Sequence, residues 1–453
     1  MAERIFKRKL YERMLQWKNE MNGSTALLIK GARRVGKSTI VELFATNEYE
    51  SHIIIDFANV TQEVNELFDN VADLNFFFLK LQALTRVDLI ERKSVIVFDE
   101  VQLQPKARQA IKYLVKDGRY DYIETGSLLS IKKNVKGILI PSEETRITMF
   151  PMDYEEFLWA QDDYVTTKII RESLEKKVPL GDAVNRKLMR DFRLYMLVGG
   201  MPQAVNAFLD NSNFRKIDEI KRNILELYED DFRKIDSSGK VSFLFKNIPS
   251  ELSRGATRFM PSKVDKNMNT KGARETIADI IDSMTVNVAY HADDPNVGFA
   301  MTKNLDAYKL YLADTGLFVT LAFMDKNYTE NTIYEKLLSD KLSANLGYIY
   351  ENVIAQMLRS SGNELYYYAF PSEKSNRNYE IDFLLSINNK ICPMEVKSSG
   401  YRAHKSLDAF SEKYSSRILE KYLIYTKDMK RERDITMIPM YMVPFLKSGR
   451  CAE

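Results

Sequence analysis

A chain of 453 residues, 45% of them hydrophobic, carries enough apolar material for several separate cores, about three domains at roughly 150 residues each. With 66 Lys and Arg against 63 Asp and Glu, the net charge of +3 excludes a whole-chain electrostatic pull toward nucleic acid or a membrane surface, so any such contact must come from a local patch. Cys392 and Cys451 are too few for a disulfide framework or a thiolate metal cluster, and His52, His291 and His404 are not spaced as ligand pairs.

Carboxylates and phosphate oxygens are then the expected metal ligands, which favours magnesium or manganese. No apolar run nears the roughly 18 to 20 residues that cross a bilayer. The first segment, MAERIFKRKLYERMLQW, scatters charges where a signal peptide keeps an uncharged core, so the expected location is cytoplasmic, with no membrane partner. The basic clusters Lys7–Lys9, Lys132–Lys133 and Lys430–Arg433 are read as solvated surface.

In chain order, the first informative segment is TALLIKGARRVGKSTIVELF: an apolar strand from Ala26 to Ile29, a glycine-bearing loop, and a helical pattern with Ile40, Val41, Leu43 and Phe44. Glycines at 31 and 36 let backbone N–H groups converge on a β-phosphate. Lys37 reaches the β- and γ-phosphates, and Ser38 offers its hydroxyl to Mg²⁺. Gly31, Arg34, Val35, Gly36, Lys37, Ser38 and Thr39 together form the expected phosphate cradle.

Farther along, KSVIVFDEVQ places a continuous apolar run, Val95 to Phe98, before Asp99 and Glu100. That is the pattern of a strand buried on both faces, and ligands of an open α/β sheet bind at the carboxyl ends of strands. Asp99 is expected to hold Mg²⁺ through water and Glu100 to orient the attacking water. The next strand, in YDYIETGSLLS, ends in Thr125, Gly126 and Ser127, and either Ser127 or Thr125 is expected to sense the γ-phosphate; an N-cap serine at a strand-to-helix turn is the plain alternative.

These segments resemble bacterial and archaeal AAA-type ATPases in which GxRRVGKST, an FDE-type second motif and a TGS segment precede a PxxxxEF stretch and a C-terminal nuclease-like domain. Here that stretch runs from Pro151 to Phe157 and follows Arg146. The resemblance implies ATP and Mg²⁺ as ligands and ATP hydrolysis as the activity. It also implies Arg146 as an arginine finger or phosphate sensor, with an ordinary surface arginine as the alternative. A finger acts across a subunit interface, so a homo-oligomer is a candidate arrangement.

Residues 155 to 235 read as helical, broken at Gly199–Gly200–Met201–Pro202, and resemble the lid that follows an AAA core. Between 236 and 330, short amphipathic helices such as TKGARETIADIIDSM precede VNVAYHADD and AYKLYLADTGLF; helices followed by a β-ribbon suggest a winged helix. Asp314, Thr315 and Gly316 match the family's Asp–x–Gly pattern. The carboxylates Glu275, Asp279 and Asp282 argue against DNA contact by the obvious recognition helix.

In YEIDFLLSINNKICPMEVKSS, Asn388–Asn389 tolerates the positive φ angles of a two-residue hairpin turn. Paired residues then sum to 777, so Asp382 is expected opposite Glu395 and Glu380 opposite Lys397 on one charged face. Facing carboxylates repel unless a cation or proton lies between them. Asp followed by Glu–x–Lys resembles the restriction-endonuclease-like superfamily, which implies Asp382 and Glu395 as Mg²⁺ ligands, Lys397 as the residue that positions water, and Glu351 as the first acidic position.

The expected fold is α/β: a P-loop NTPase AAA core with a parallel sheet over 1–160, a helical lid over 161–235, a winged-helix-like domain over 236–332 and a restriction-endonuclease-like domain over 333–453. Two functions follow. One is an ATPase whose nuclease-like domain docks to or cuts DNA or another nucleic acid; the other is a nucleotide-gated switch with a non-catalytic C-terminal interaction module.

Overall fold

The computed structural model describes residues 4–126, 142–211, 214–255, 258–261, 270–325, 332–338, 347–372 and 378–446. The chain divides into two compact units, one of residues 1–150 with 282–284, the other of 151–281 with 285–453. The segments expected as lid and C-terminal domain fall in the second, as does the expected winged-helix segment apart from residues 282–284.

The first unit is built on a parallel sheet of β1 (Ala26–Lys30), β2 (Ser51–Asp56), β3 (Ser94–Asp99), β4 (Asp121–Gly126) and β5 (Glu144–Thr148), in the order β2-β3-β4-β1-β5. Every residue of β3 and β4 is buried, and on β3 the continuous apolar run follows from helices covering both faces. One face packs against an aromatic cluster in which Phe68 makes edge contacts with Phe57, Phe77 and Phe98. The helix Pro105–Asp117 lies on the same face, started by proline at its first position and stopped by Gly118 at φ 77°.

In the second unit, helices between Tyr154 and Ser253 accompany a sheet of eight strands: β6 (Val286–Ala292), β7 (Lys303–Leu312), β8 (Leu365–Pro371), β9 (Asn378–Ile387), β10 (Lys390–Val396), β11 (Lys421–Tyr425), β12 (Lys430–Glu432) and β13 (Ile435–Pro439). Their order is β12-β13-β11-β10-β9-β8-β6-β7. The β6–β7 ribbon expected as a wing is therefore part of this sheet: β6 pairs parallel with β8 through Ala289↔Leu365, Tyr290↔Tyr366 and His291↔Tyr367. Asn388 and Asn389 take φ of 48° and 59°, and β9 pairs with β10 from Ile387↔Lys390 to Phe383↔Met394, the register the sequence predicts.

Three segments singled out in the sequence meet in one buried junction of this unit. Met152 N–H donates to Gly200 O at 2.8 Å, and Gly200 N–H donates to Asp314 Oδ2 at 2.5 Å. A side chain at Gly200 would stand 2.0 Å from Met152 O, and one at Gly316 would meet Gly199 Cα at 2.6 Å, so only glycine lets these backbones approach. Lys221 enters from the helix Phe214–Ile235 and donates to Leu197 O at 2.7 Å and Gly316 O at 3.3 Å. Asp153 caps the helix Tyr154–Trp159 in a capping box with Glu156, a structural role for the PxxxxEF stretch. Among the described residues, no helix is long and apolar enough to cross a membrane.

Candidate functional site

The loop after β1 turns through Arg34 at φ 68° and Gly36 at φ 97° into the helix Lys37–Glu48. Both left-handed positions are what a loop needs to wrap its N–H groups around an anion. Lys37 is buried, and its Nζ donates to Gly31 O and Ala32 O, each at 3.1 Å, so the ammonium lies along the loop that carries it. Ser38, in the first helical turn, is exposed. A side chain at Gly31 would come within 2.5 Å of Met149 O, so the strand-to-loop exit is closed to anything larger.

Arg8 supports this loop from behind. Only 7% exposed, it donates from Nη1 to Val35 O at 3.0 Å and from Nη2 to Phe150 O at 2.7 Å. The Lys7–Lys9 cluster is thus not all solvated surface: its middle residue is buried because two backbone carbonyls need a charged donor. An arginine flanked by lysines looks the same in sequence either way, and no local signal separates it.

β4 lies between β1 and β3, so Asp99 and Glu100 sit two strands from the phosphate loop, not on the strand next to it. Thr125 on β4 bridges that gap: its hydroxyl donates to Asp99 Oδ1 and accepts from the Glu100 N–H at 3.3 Å. Glu100 stands in the left-handed region at φ 53°, a strained backbone for a non-glycine residue, and its carboxylate is held by Gln102 Nε2. Asp99 and Glu100 are therefore positioned by one threonine hydroxyl. Ser127 lies outside the described residues.

Arg146 is on the edge strand β5, half exposed, with Nε 3.2 Å from Glu144 Oε2. Glu144 also pairs with the buried Arg108 at 2.8 Å. Glu124, fully buried beside them, is pushed well above the usual carboxylate range by burial first and by the Glu144 charge second.

A cleft of about 310 Å³ in the same unit is lined by Phe6, Tyr11, Glu12, Ile40, Leu43 and Asn47, the last three on the helix that begins at Lys37.

The C-terminal carboxylates differ from expectation in their partners. Glu380 pairs with Lys309 Nζ instead of Lys397, and Lys397 Nζ holds Glu395 Oε1 at 2.7 Å. Asp382 Oδ2 accepts from the Val396 N–H at 2.7 Å. Glu351 Oε2 lies 3.8 Å from Lys309 Nζ and accepts from the Tyr311 hydroxyl at 3.4 Å. Burial, then the charges of Glu351 and Glu380, push Asp382 well above the carboxylate range. Burial opposes the Lys309 charge, but Glu380, Glu351 and Asp382 outweigh it and hold its pKa well above that of a free lysine. Among the described residues, no group of three or more His, Cys, Asp or Glu stands together as a set of metal ligands. Lys309 was missed in the sequence, although a lysine inside the apolar strand Tyr308–Leu312 is itself a sign of a buried partner.

Residues 23–158 match the family described as AAA domain, and residues 189–328 and 346–443 match two domains of unknown function, DUF8612 and DUF4143. No curated protein matches. Similar solved structures include a signal-transduction ATPase with numerous domains and a tetratricopeptide-repeat sensor from Pyrococcus horikoshii, at 12% identity and TM-score 0.28, over 78% of this chain and 48% of that one. Another is Cdc6p from Pyrobaculum aerophilum, at 12% identity and TM-score 0.24, over 76% of this chain and 98% of that one. A protein from Vibrio cholerae is 9% identical at TM-score 0.17, over 87% of this chain and 95% of that one. The chain spans about half the length of the Pyrococcus protein. With its phosphate loop, parallel sheet and matched segment in agreement, the chain carries an AAA-type P-loop ATPase domain over residues 23–158.

Proposed function

We propose that this protein is an ATP-hydrolysing switch whose C-terminal domain is an interaction module that does not cleave nucleic acid. The observation that carries the ATPase half is the Thr125 hydroxyl, which holds Asp99 and orients Glu100 at the carboxyl end of the sheet that bears the phosphate loop. Lys37 and the N–H groups of Gly31 to Thr39 take the phosphates. Ser38 and Asp99 would hold Mg²⁺, which neutralises phosphate charge when bound. Glu100 orients the water that attacks the γ-phosphate. The cleft beside Ile40 and Asn47 is large enough for a purine base, with Phe6 and Tyr11 as stacking surfaces and Glu12 as an acceptor. Arg146, half exposed on an edge strand, is our candidate finger for a second copy of the chain.

Phosphate release by purified protein with ATP and Mg²⁺ tests this reading. Glu100→Gln is expected to bind ATP and to hydrolyse it at least about 100-fold more slowly, and Lys37→Ala to lose binding as well. Unchanged release in either variant overturns the assigned phosphate grip.

Cleavage of nucleic acid is the second reading, supported by the Asp382 and Glu395–x–Lys397 pattern. The Lys309–Glu380 and Lys397–Glu395 ion pairs, with Asp382 held by the Val396 N–H, favour the non-cleaving module. Incubation with single- or double-stranded DNA or RNA and Mg²⁺ or Mn²⁺, with and without ATP, decides it: the switch predicts no cleavage above a Lys397→Ala control.

A further inference from the structure

Four carboxylates of the second unit, Glu351, Glu380, Asp382 and Glu395, come from the helix Gly347–Ser360 and from β9 and β10, and each already has a partner inside the protein. Lys309 serves two of them. It belongs to β7, in the matched segment 189–328, whereas the carboxylates belong to the segment 346–443. Only 5% exposed, its ammonium contacts Glu380 and stands 3.8 Å from Glu351 Oε2. Tyr311, two residues on and so on the same face of β7, donates to the same Glu351 oxygen. The strand thus presents a cation and a hydrogen-bond donor to a cluster that, on its own, would be a concentration of negative charge.

We infer that Lys309 is the resident cation of this cluster and stands in for a divalent ion, so that the domain binds no metal there. The inference rests on the non-cleaving reading of the C-terminal domain and gives it a cause. A divalent ion needs several oxygens at about 2.0 to 2.6 Å. Here Glu351 and Glu380 are held by Lys309, Glu395 by Lys397 and Asp382 by a backbone N–H. A second cation beside the Lys309 ammonium would face a like charge in a poorly solvated place, where repulsion is strong. Glu395 Oε2 is buried without a hydrogen-bond partner, but a single oxygen does not hold a divalent ion.

The test is Mn²⁺ binding, read by electron paramagnetic resonance on the nucleotide-free full chain in a Ser38→Ala background, which silences the phosphate-loop metal position. With Lys309 present, no tightly bound Mn²⁺ is expected. Lys309→Met is expected to gain one Mn²⁺ per chain, and adding Asp382→Asn to remove it again. A stoichiometric Mn²⁺ in the protein that retains Lys309, lost in Asp382→Asn or Glu351→Gln, overturns the inference, as does a folded Lys309→Met protein that binds none. If Lys309→Met does not fold, the Mn²⁺ count of the Lys309-bearing protein decides alone. Cleavage without a bound ion would sink the non-cleaving reading and leave this inference standing; a bound ion without cleavage would do the reverse.

Discussion

Thr125 donates with its hydroxyl hydrogen to Asp99 and accepts with the same oxygen from the Glu100 amide, so one side chain positions two carboxylates to which we assign different duties. Replacement by valine keeps the shape and removes both bonds. Thr125→Val is expected to retain ATP binding and to hydrolyse about 10- to 100-fold more slowly, the usual cost of losing a group that orients a metal ligand; steady-state phosphate release at saturating ATP measures it. Lys221 makes a different residue-scale prediction. Burial pulls its pKa down to about 8 from an ordinary 10.5, against the opposing charges of Asp218 and Asp314. Between those values the unfolded chain binds the proton that the folded chain releases, so this group's contribution to stability rises with pH through that window and its penalty is complete below it. The difference in unfolding free energy between wild type and Lys221→Met, measured by urea titration, should therefore change in favour of wild type from pH 7 to pH 10, by up to roughly 3 kcal/mol. A difference independent of pH would show that Lys221 keeps an ordinary lysine pKa in the folded protein and stays charged through that range.

The junction of Met152, Gly199–Gly200 and Asp314–Gly316 joins three elements by backbone contact, with no room for a methyl group at Gly200. Gly200→Ala is expected to lower stability by about 1 to 3 kcal/mol or more, through displacement of the Met152 carbonyl, as measured by denaturant unfolding. What was legible in the sequence divides at this scale. The phosphate loop, the buried strand before Asp99 and the Asn388–Asn389 turn were readable because each is fixed by neighbours in the chain: a glycine where φ is positive, an apolar run where both faces are covered, two asparagines where a hairpin reverses. The partners of Glu380 and Lys397 were not readable. The hairpin register alone put them opposite each other, but Lys309, about seventy residues earlier in the chain, captures Glu380 and leaves Lys397 to Glu395. A pairing between distant strands carries no local periodicity, and Arg8 at the Val35 carbonyl escaped notice for the same reason.

Two compact units in one chain imply two unfolding steps, and a ligand that binds one native unit stabilises that step alone. ATP with Mg²⁺ at 100 times its dissociation constant is expected to add about 2.7 kcal/mol to the unit that carries the phosphate loop. Differential scanning calorimetry should show one transition moving with ATP and the other staying in place; a shift of neither would argue against nucleotide binding. The pairing of β6 with β8 has a practical consequence for anyone dissecting the gene. A fragment starting at residue 346 would contain the whole DUF4143 segment yet lack the strand that covers Leu365, Tyr366 and Tyr367. Its tyrosine-rich border would lie bare, with unpaired N–H and C=O groups ready to recruit a neighbouring molecule. Such a truncation should come out of cells as insoluble material, whereas a cut placed upstream of Val286 would keep the border sealed.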